Sequence, residues 1–165
     1  MINVLFVCLG NICRSPIAEG VFRHLVEKAG LSHQIQCDSA GTSSYHIGSL
    51  PDRRMRQVAL QNGVELTHKG RKLSGDDFYN FDYIVAMDEA NFEDIRNQSY
   101  RSSGFYFPED RLYLYREFDP ERADALNVPD PYYEDIAVFD EVYQIVERCG
   151  ASFLTFIIEK NQLQS

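Results

Sequence analysis

Cys8 and Arg14 stand six residues apart, and the segment between them, Leu9-Gly10-Asn11-Ile12-Cys13, is short and flexible enough to wrap around an anion. Residues Ile2 to Val7 read as a buried strand, and Ser15-Pro16 opens a helical pattern. A thiol, a small loop, a guanidinium and a helix N-terminus therefore converge within one turn of space. Loop amides and the free amides of a helix N-terminus cradle anions. The same positive end favours the thiolate form of Cys8. Arg14 can grip two oxygens in a planar fork, which a lysine could not. Together these groups point to chemistry on a phosphate. A Cys-x5-Arg spacing by itself is weak, because a chain with 4 cysteines and many arginines produces it by chance; the strand-loop-helix setting makes it specific. The competing structural reading is a buried cysteine, a Ser15 N-cap, Pro16 at the first helical position and a surface arginine.

A nucleophile needs a proton donor for its leaving group. Two Asp-Pro pairs, Asp119-Pro120 and Asp130-Pro131, lie in the irregular stretch 97–135. Val128-Pro129-Asp130-Pro131-Tyr132-Tyr133 is the better candidate: prolines on both sides stiffen the carboxylate, and the paired tyrosines can line an aromatic slot. Asp119 is expected to start a turn or helix.

These residues need a scaffold, and the rest of the chain supplies one. Val4 to Val7 is continuously apolar, as in a central parallel strand covered on both faces. A helix follows with Ile17, Ala18, Val21, Phe22, Leu25, Val26 and Ala29 at helical spacing, stopped by Gly30. Ile35 to Asp38 reads as a second strand, and Pro51 to Asn62 as a helix ended by Gly63. A short strand is expected near Lys69 to Leu73, a small helix at Asp76 to Tyr79, and a third main strand at Tyr83 to Met87. A helix from Glu89 to Arg96, strand character over Arg111 to Phe118, and a long amphipathic helix from Val138 to Ile157 complete the pattern. The alternation predicts an α/β fold: a single-domain doubly wound sheet of about four parallel strands, helices on both faces, and the phosphate-binding loop after the first strand. In such sheets sites form where strand C-termini meet helix N-termini. Residues 1–159 are expected to be one domain and 160–165 a flexible tail.

Composition narrows the partners. The chain has 165 residues, 44% hydrophobic and 25% charged, enough for one real core. A formal net charge of −9 argues against nucleic acid or an anionic membrane as the main partner, without excluding a small phosphorylated substrate in a locally basic pocket. Four cysteines, Cys8, Cys13, Cys37 and Cys149, are too few for a disulfide scaffold. No basic residue precedes the N-terminal apolar run, so it reads as a strand and not as a secretory leader, and a reducing cytoplasm is the expected location.

Val7-Cys8-Leu9-Gly10-Asn11-Ile12-Cys13-Arg14-Ser15-Pro16 closely resembles the signature of the low-molecular-weight protein tyrosine phosphatases. The likeness continues, in family order, through Asp38-Ser39-Ala40-Gly41, Met87-Asp88-Glu89 and Asp130-Pro131-Tyr132-Tyr133. The resemblance implies Cys8 as nucleophile, Arg14 as phosphate clamp and Asp130 as general acid. It implies that Asn11 holds an unusual backbone conformation with Ser39 as partner, that Ser15 donates to the Cys8 sulfur, and that Tyr45, Tyr132 and Tyr133 wall the slot for the phosphotyrosine ring. His68 and Asp88 match supporting positions. Substrates would be phosphotyrosine proteins or small aryl phosphates, inorganic phosphate the product, and no metal or other cofactor would be required; a monomer or weak homo-oligomer is expected. Family members with a second loop cysteine form a reversible disulfide with the nucleophile, which would make Cys13 a redox guard for Cys8.

Rivals of the same fold are weighed on residues. Arsenate reductases relay oxidation through two further cysteines near 82–96, where this chain has none. Protein arginine phosphatases carry Thr where this chain has Ile12 and lack the tyrosine pair. A phosphotyrosine-binding module would be expected to lose Cys8 or Asp130. A thioredoxin-like role wants Cys-x2-Cys, a spacing that Cys8 and Cys13 do not have. The stretch Ser99 to Asn127 looks longer than in compact family members, which bears on substrate choice. The basic cluster Arg53, Arg54 and Arg56 reads as a solvated helix face.

Overall fold

The computed structural model describes residues 1–165. Four strands form one parallel sheet: β1 (Ile2–Cys8), β2 (Ile35–Gly41), β3 (Tyr83–Ala86) and β4 (Leu112–Leu114), in the order β2-β1-β3-β4. The helices are α1 (Arg14–Lys28), α2 (Arg53–Gln61), α3 (Asp77–Asn80), α4 (Glu89–Ser103) and α5 (Ile136–Asn161). The fold is the doubly wound α/β domain that the alternation predicts. β1 alternates its side chains between two cores: Val4, Phe6 and Cys8 face the α1/α5 layer, and Leu5 and Val7 face the layer of Phe78, Ile95 and Phe107. That double burial is why the strand is apolar at every position from Val4 to Val7.

The chain leaves β1 through α1 to β2 on one side and later returns to β3 on the other. The end of β1 is therefore the topological switch point, where a crevice opens. The loop at Cys8 lies there.

Several boundaries differ from the sequence expectation. The strand expected at 69–73 shrinks to a single bridge between Gly41 and Lys72. Backbone bonds from Gly41 to Arg71 (2.8 Å) and from Leu73 to Gly41 (2.8 Å) flank it, but Gly70 has already turned to donate to Ser49. α4 runs on past Arg96 to Ser103, because nothing stops it before Gly104, which takes the left-handed conformation at φ 81°. Strand character over 111–118 reduces to β4, followed by a 3₁₀ turn at Tyr115–Phe118. The stretch 99–127 is thus the end of α4, β4 and short turns. α5 continues to Asn161; beyond it Leu163 packs against the main core and the Gln164 carbonyl accepts from Gln34 at 2.6 Å. No helix is long and apolar enough to cross a membrane.

Candidate active site

The loop wraps because four of its carbonyls are committed to the surrounding chain. The carbonyls of Cys8, Leu9 and Ile12 accept from the amides of Thr42 (2.9 Å), Ser43 (2.9 Å) and Asp52 (2.7 Å), and that of Cys13 from Ile17 (3.2 Å). On the inner side the Asn11 amide points at the Cys8 sulfur, 3.3 Å away. α1 has no side-chain cap, so its first-turn amides face the same centre. β2 can pass behind only because residue 41 is glycine: a Cβ there would lie 2.7 Å from the Leu9 oxygen and 3.2 Å from the Asn11 amide.

Asn11 closes the turn at φ 57°, in the left-handed region that asparagine tolerates better than most residues. Its buried side chain uses both ends. The Arg71 amide donates to Oδ1 at 3.0 Å, which identifies the oxygen, so His68 Nε2, 2.7 Å from that oxygen, is also a donor. Nδ2 donates to Ser15 Oγ (2.8 Å) and Ser39 Oγ (3.0 Å). Ser39 in turn donates to Glu19 at 2.7 Å. Since Ser15 Oγ already accepts from Asn11, its own proton has two acceptors in reach, Cys8 Sγ at 3.0 Å and the Ala40 carbonyl at the longer 3.4 Å. The Asn11 amide donates to the same sulfur at 3.3 Å. Both contacts converge on one sulfur.

Arg14 is buried. One nitrogen, Nη1, donates to Asp88 Oδ2 (2.6 Å) and the Val128 carbonyl (3.2 Å), while Nη2 lies 3.7 Å from Asp130 Oδ2. Burial works against its charge, but Cys8, Asp88 and Asp130 outweigh it and push the pKa up. Asp88 also caps α4 by accepting from Asn91 at 2.7 Å, so its second oxygen is fixed on the guanidinium. Asp130 stands across the cleft, half exposed, with Oδ1 accepting from the Tyr132 amide at 3.1 Å.

The cleft has a volume of about 150 Å³, with Cys8, Leu9, Gly10, Ile12, Cys13 and Arg14 as its floor and Tyr45, His46, Asp130, Tyr132 and Tyr133 as its walls. Tyr132 and Tyr133 meet edge-on at 4.8 Å; Tyr45 and Tyr133 are exposed. Burial, aided by Asp52, pushes the Cys13 thiol well up, so it stays protonated.

The structure thus gathers at one place every site residue singled out from the sequence, with Ser39, His68 and Asp88 behind the loop. It also adds residues the sequence reading missed. His46 lines the wall next to Tyr45, without any motif to signal it. Glu19 is buried on α1, and its position one turn after Ser15, amid apolar neighbours, was the available signal. Arg54 departs from the solvated-face expectation: it pairs with Asp52, donates to the carbonyls of Tyr132 (2.9 Å) and Glu134 (3.3 Å) and lies 4.4 Å from the Phe139 ring centre. A helix-face pattern cannot show that a loop 78 residues away folds onto it.

A nucleophilic thiol in a cradle of amides, a guanidinium beside it and a carboxylate opposite, at the switch point of a doubly wound sheet, define a cysteine-dependent phosphatase site. The sequence pattern of the family described as low molecular weight phosphotyrosine protein phosphatase matches residues 3–163, and the chain belongs to that family. It is 42% identical to the human low molecular weight phosphotyrosine protein phosphatase over 152 residues, 92% of this chain and 93% of the human one. The crystal structure of a protein tyrosine phosphatase from Entamoeba histolytica superposes with a TM-score of 0.87 at 36% identity, covering 99% of this chain and 100% of that one. A Drosophila arginine phosphatase superposes with a TM-score of 0.86 at 34% identity, covering 93% and 96%.

Proposed function

We propose that the protein hydrolyses phosphotyrosine in proteins, or small aryl phosphates, through a cysteinyl-phosphate intermediate. The observation that carries the reading is the Cys8 sulfur held by Ser15 at 3.0 Å and the Asn11 amide at 3.3 Å, with Arg14 and Asp130 facing each other beside it. In the first step the Cys8 thiolate attacks phosphorus in line. The S–P bond forms, the P–O bond to the ring breaks, and the Asp130 carboxyl gives its proton to the departing oxygen. Arg14 and the inward amides hold the equatorial oxygens, whose charge they already match. In the second step water attacks phosphorus, Asp130 takes its proton, and the thiolate departs toward the Ser15 hydroxyl, releasing inorganic phosphate. The positive charge comes from the chain itself, and no cofactor enters.

The tyrosine walls suit a flat aromatic leaving group, and Ile12 offers a methyl surface at the loop. The likeness to an arginine phosphatase keeps phosphoarginine as the competing substrate. Hydrolysis of phosphotyrosine, phosphoserine and phosphoarginine by wild type, Cys8→Ser and Asp130→Ala separates them. Phosphotyrosine should be preferred, abolished by Cys8→Ser and slowed about 10²–10⁴-fold by Asp130→Ala. Undiminished turnover by Cys8→Ser, or preference for phosphoarginine, refutes the assignment.

Redox protection belongs to the same reading. Peroxide converts the Cys8 thiolate to a sulfenic acid, and the Cys13 thiol condenses with it, forming a disulfide and water. Thiol should then restore peroxide-treated wild type but restore Cys13→Ser poorly; equal recovery removes the idea. The reading goes with a monomer or weak homo-oligomer in a reducing cytoplasm, where the disulfide would form only on oxidation.

A further inference from the structure

Behind the phosphate loop, Glu19 of α1, Asp38 of β2 and His68 of the segment between α2 and α3 converge. Nδ1 of His68 lies 3.3 Å from Glu19 Oε1 and 3.3 Å from Asp38 Oδ1. One donor atom from each of these residues falls within 4.8 Å of the others. Ligand atoms placed at roughly 2.0–2.2 Å from a tetrahedral zinc ion stand about 3.4 Å from one another. We propose that Glu19, Asp38 and His68 form a binding site for a divalent cation of the zinc class, held by His68 Nδ1 and one oxygen from each carboxylate, with water completing the tetrahedron.

The outer contacts are those a metal site needs. A ligating imidazole is oriented by donating its other N–H to an oxygen, and His68 Nε2 donates to Asn11 Oδ1 at 2.7 Å. That bond fixes the ring so that Nδ1 is the nitrogen aimed at the carboxylates. The carboxylates are fixed as well: Glu19 by the Ser39 hydroxyl (2.7 Å) and Arg23 (2.7 Å), Asp38 by Arg71 Nε (3.0 Å). Asp38 is ionised at neutral pH: burial raises its pKa, but hydrogen bonds from His68 and the Ser39 amide, with Arg71 nearby, outweigh it. Its side chain is 39% exposed and opens the cluster to solvent, whereas Glu19 is 4% exposed and His68 12%.

One imidazole with two carboxylates suits zinc better than magnesium, which demands octahedral oxygen and keeps its water. Without a metal, Nδ1 stands between the two carboxylate oxygens, 3.3 Å from each. Zinc takes an imidazole through its free nitrogen, for which protons compete, so affinity rises with pH. The charged groups around the ring are Glu19, Asp38, Arg23 and Arg71. The two guanidiniums weaken the site by repulsion, which sets it apart from a permanent structural zinc.

The test uses full-length Cys8→Ser/Cys13→Ser protein, so that no loop thiolate can take the metal. Zinc is titrated against a chromophoric chelator while the imidazole resonances of His68 and the side-chain amide of Asn11 are followed by NMR. The expected result is one zinc per chain, shifts at both residues, and tighter binding as pH rises. His68→Gln keeps a donor for Asn11 but deletes the Nδ1 ligand, and Asp38→Asn deletes a charge at a half-exposed position. Each should weaken zinc by about 10–100-fold or more. Absence of a saturable site, or equal affinity in either correctly folded variant and its parent, overturns the proposal. The readout is independent of phosphate hydrolysis, so its failure leaves the catalytic reading intact.

Discussion

Replacing Asn11 tests whether the phosphate loop is preformed. The side chain is 1% exposed and is joined to Ser15, Ser39, His68 and the Arg71 amide at 2.7–3.0 Å. At about 1 kcal/mol per hydrogen bond, with losses in one network not strictly additive, Asn11→Ala should cost about 3–5 kcal/mol. Its backbone adds a separate contribution. At φ 57° an alanine is strained by about 1–2 kcal/mol. Asn11→Gly escapes that strain but loosens the unfolded chain by about 0.4–1 kcal/mol. Glycine should therefore leave the protein about 0.5–1 kcal/mol more stable than alanine does, although neither makes a side-chain bond. Urea unfolding of both variants, monitored for unchanged m-values, measures the difference. In both, Ser15 loses the donor that turns its proton toward Cys8, and kcat on an aryl phosphate should fall about 10²-fold. Alanine as stable as glycine would refute the strain argument; a loss below about 1 kcal/mol, or unchanged kcat, would refute the network's role.

Other perturbations probe separate parts of the molecule. Burial pushes the Cys37 and Cys149 thiols up to about 12, so at pH 8 only about one molecule in 10⁴ carries either thiolate; iodoacetamide should label Cys8 alone by mass spectrometry, and comparable labelling of Cys37 or Cys149 would contradict this. Burial raises the Asp119 carboxyl pKa, but Arg148, the Glu121 amide and Arg116 outweigh it and hold it low. Its contribution to stability is therefore present above the ordinary carboxylate pKa of about 4 and lost as pH falls through the lower folded value. Asp119→Asn should cost about 3 kcal/mol at pH 7 and progressively less below pH 4; a gap as large at pH 2.5 as at pH 7 would be inconsistent with it. Gly41→Ala should displace the loop and reduce kcat at least tenfold, roughly the effect of an ångström-scale misplacement, and full activity would show that β2 can yield. Arg54→Met should slow turnover of poor phenol leaving groups more than of nitrophenol, because it frees the segment carrying Asp130; an equal effect on both would place Arg54 outside acid positioning.

What the sequence makes legible follows physical range. β1 was readable because burial on both faces leaves only apolar residues, and the loop because its chemistry is contiguous from Cys8 to Ser15. Asp130 was readable from its flanking prolines and tyrosines. The unreadable parts depend on contacts distant in sequence. The end of α4 is polar and serine-rich, and it holds as helix because buried Ser99 bonds to Arg96 and accepts from Phe107. The strand expected at Lys69 to Leu73 is rich in glycine and lysine, which strands disfavour, and finds an edge only at Gly41. Arg54 reads as solvated because its partners, Tyr132 and Glu134, are brought to it by the return of the chain into α5. The same limit hid His46, whose role depends on where the loop after β2 lands.

A net charge of −9 repels a phosphate dianion at long range, and the way Arg14 is held resolves the conflict. Asp88 does not cancel the guanidinium; it occupies Nη1, together with the Val128 carbonyl, and leaves the opposite edge facing the cleft. Val128 lies two residues before Asp130, so the same guanidinium that would grip phosphate also anchors the segment that carries the acid. One planar group thereby sets the distance between the phosphate position and the proton donor. A lysine in its place would supply charge but only one point of attachment, and could not hold both sides at once. The Asn11 network acts at the other end of the loop, fixing the sulfur against Ser15. The site's charge complementarity is therefore local and prepaid in the folded loop, which lets an acidic protein act on an anionic substrate without global attraction.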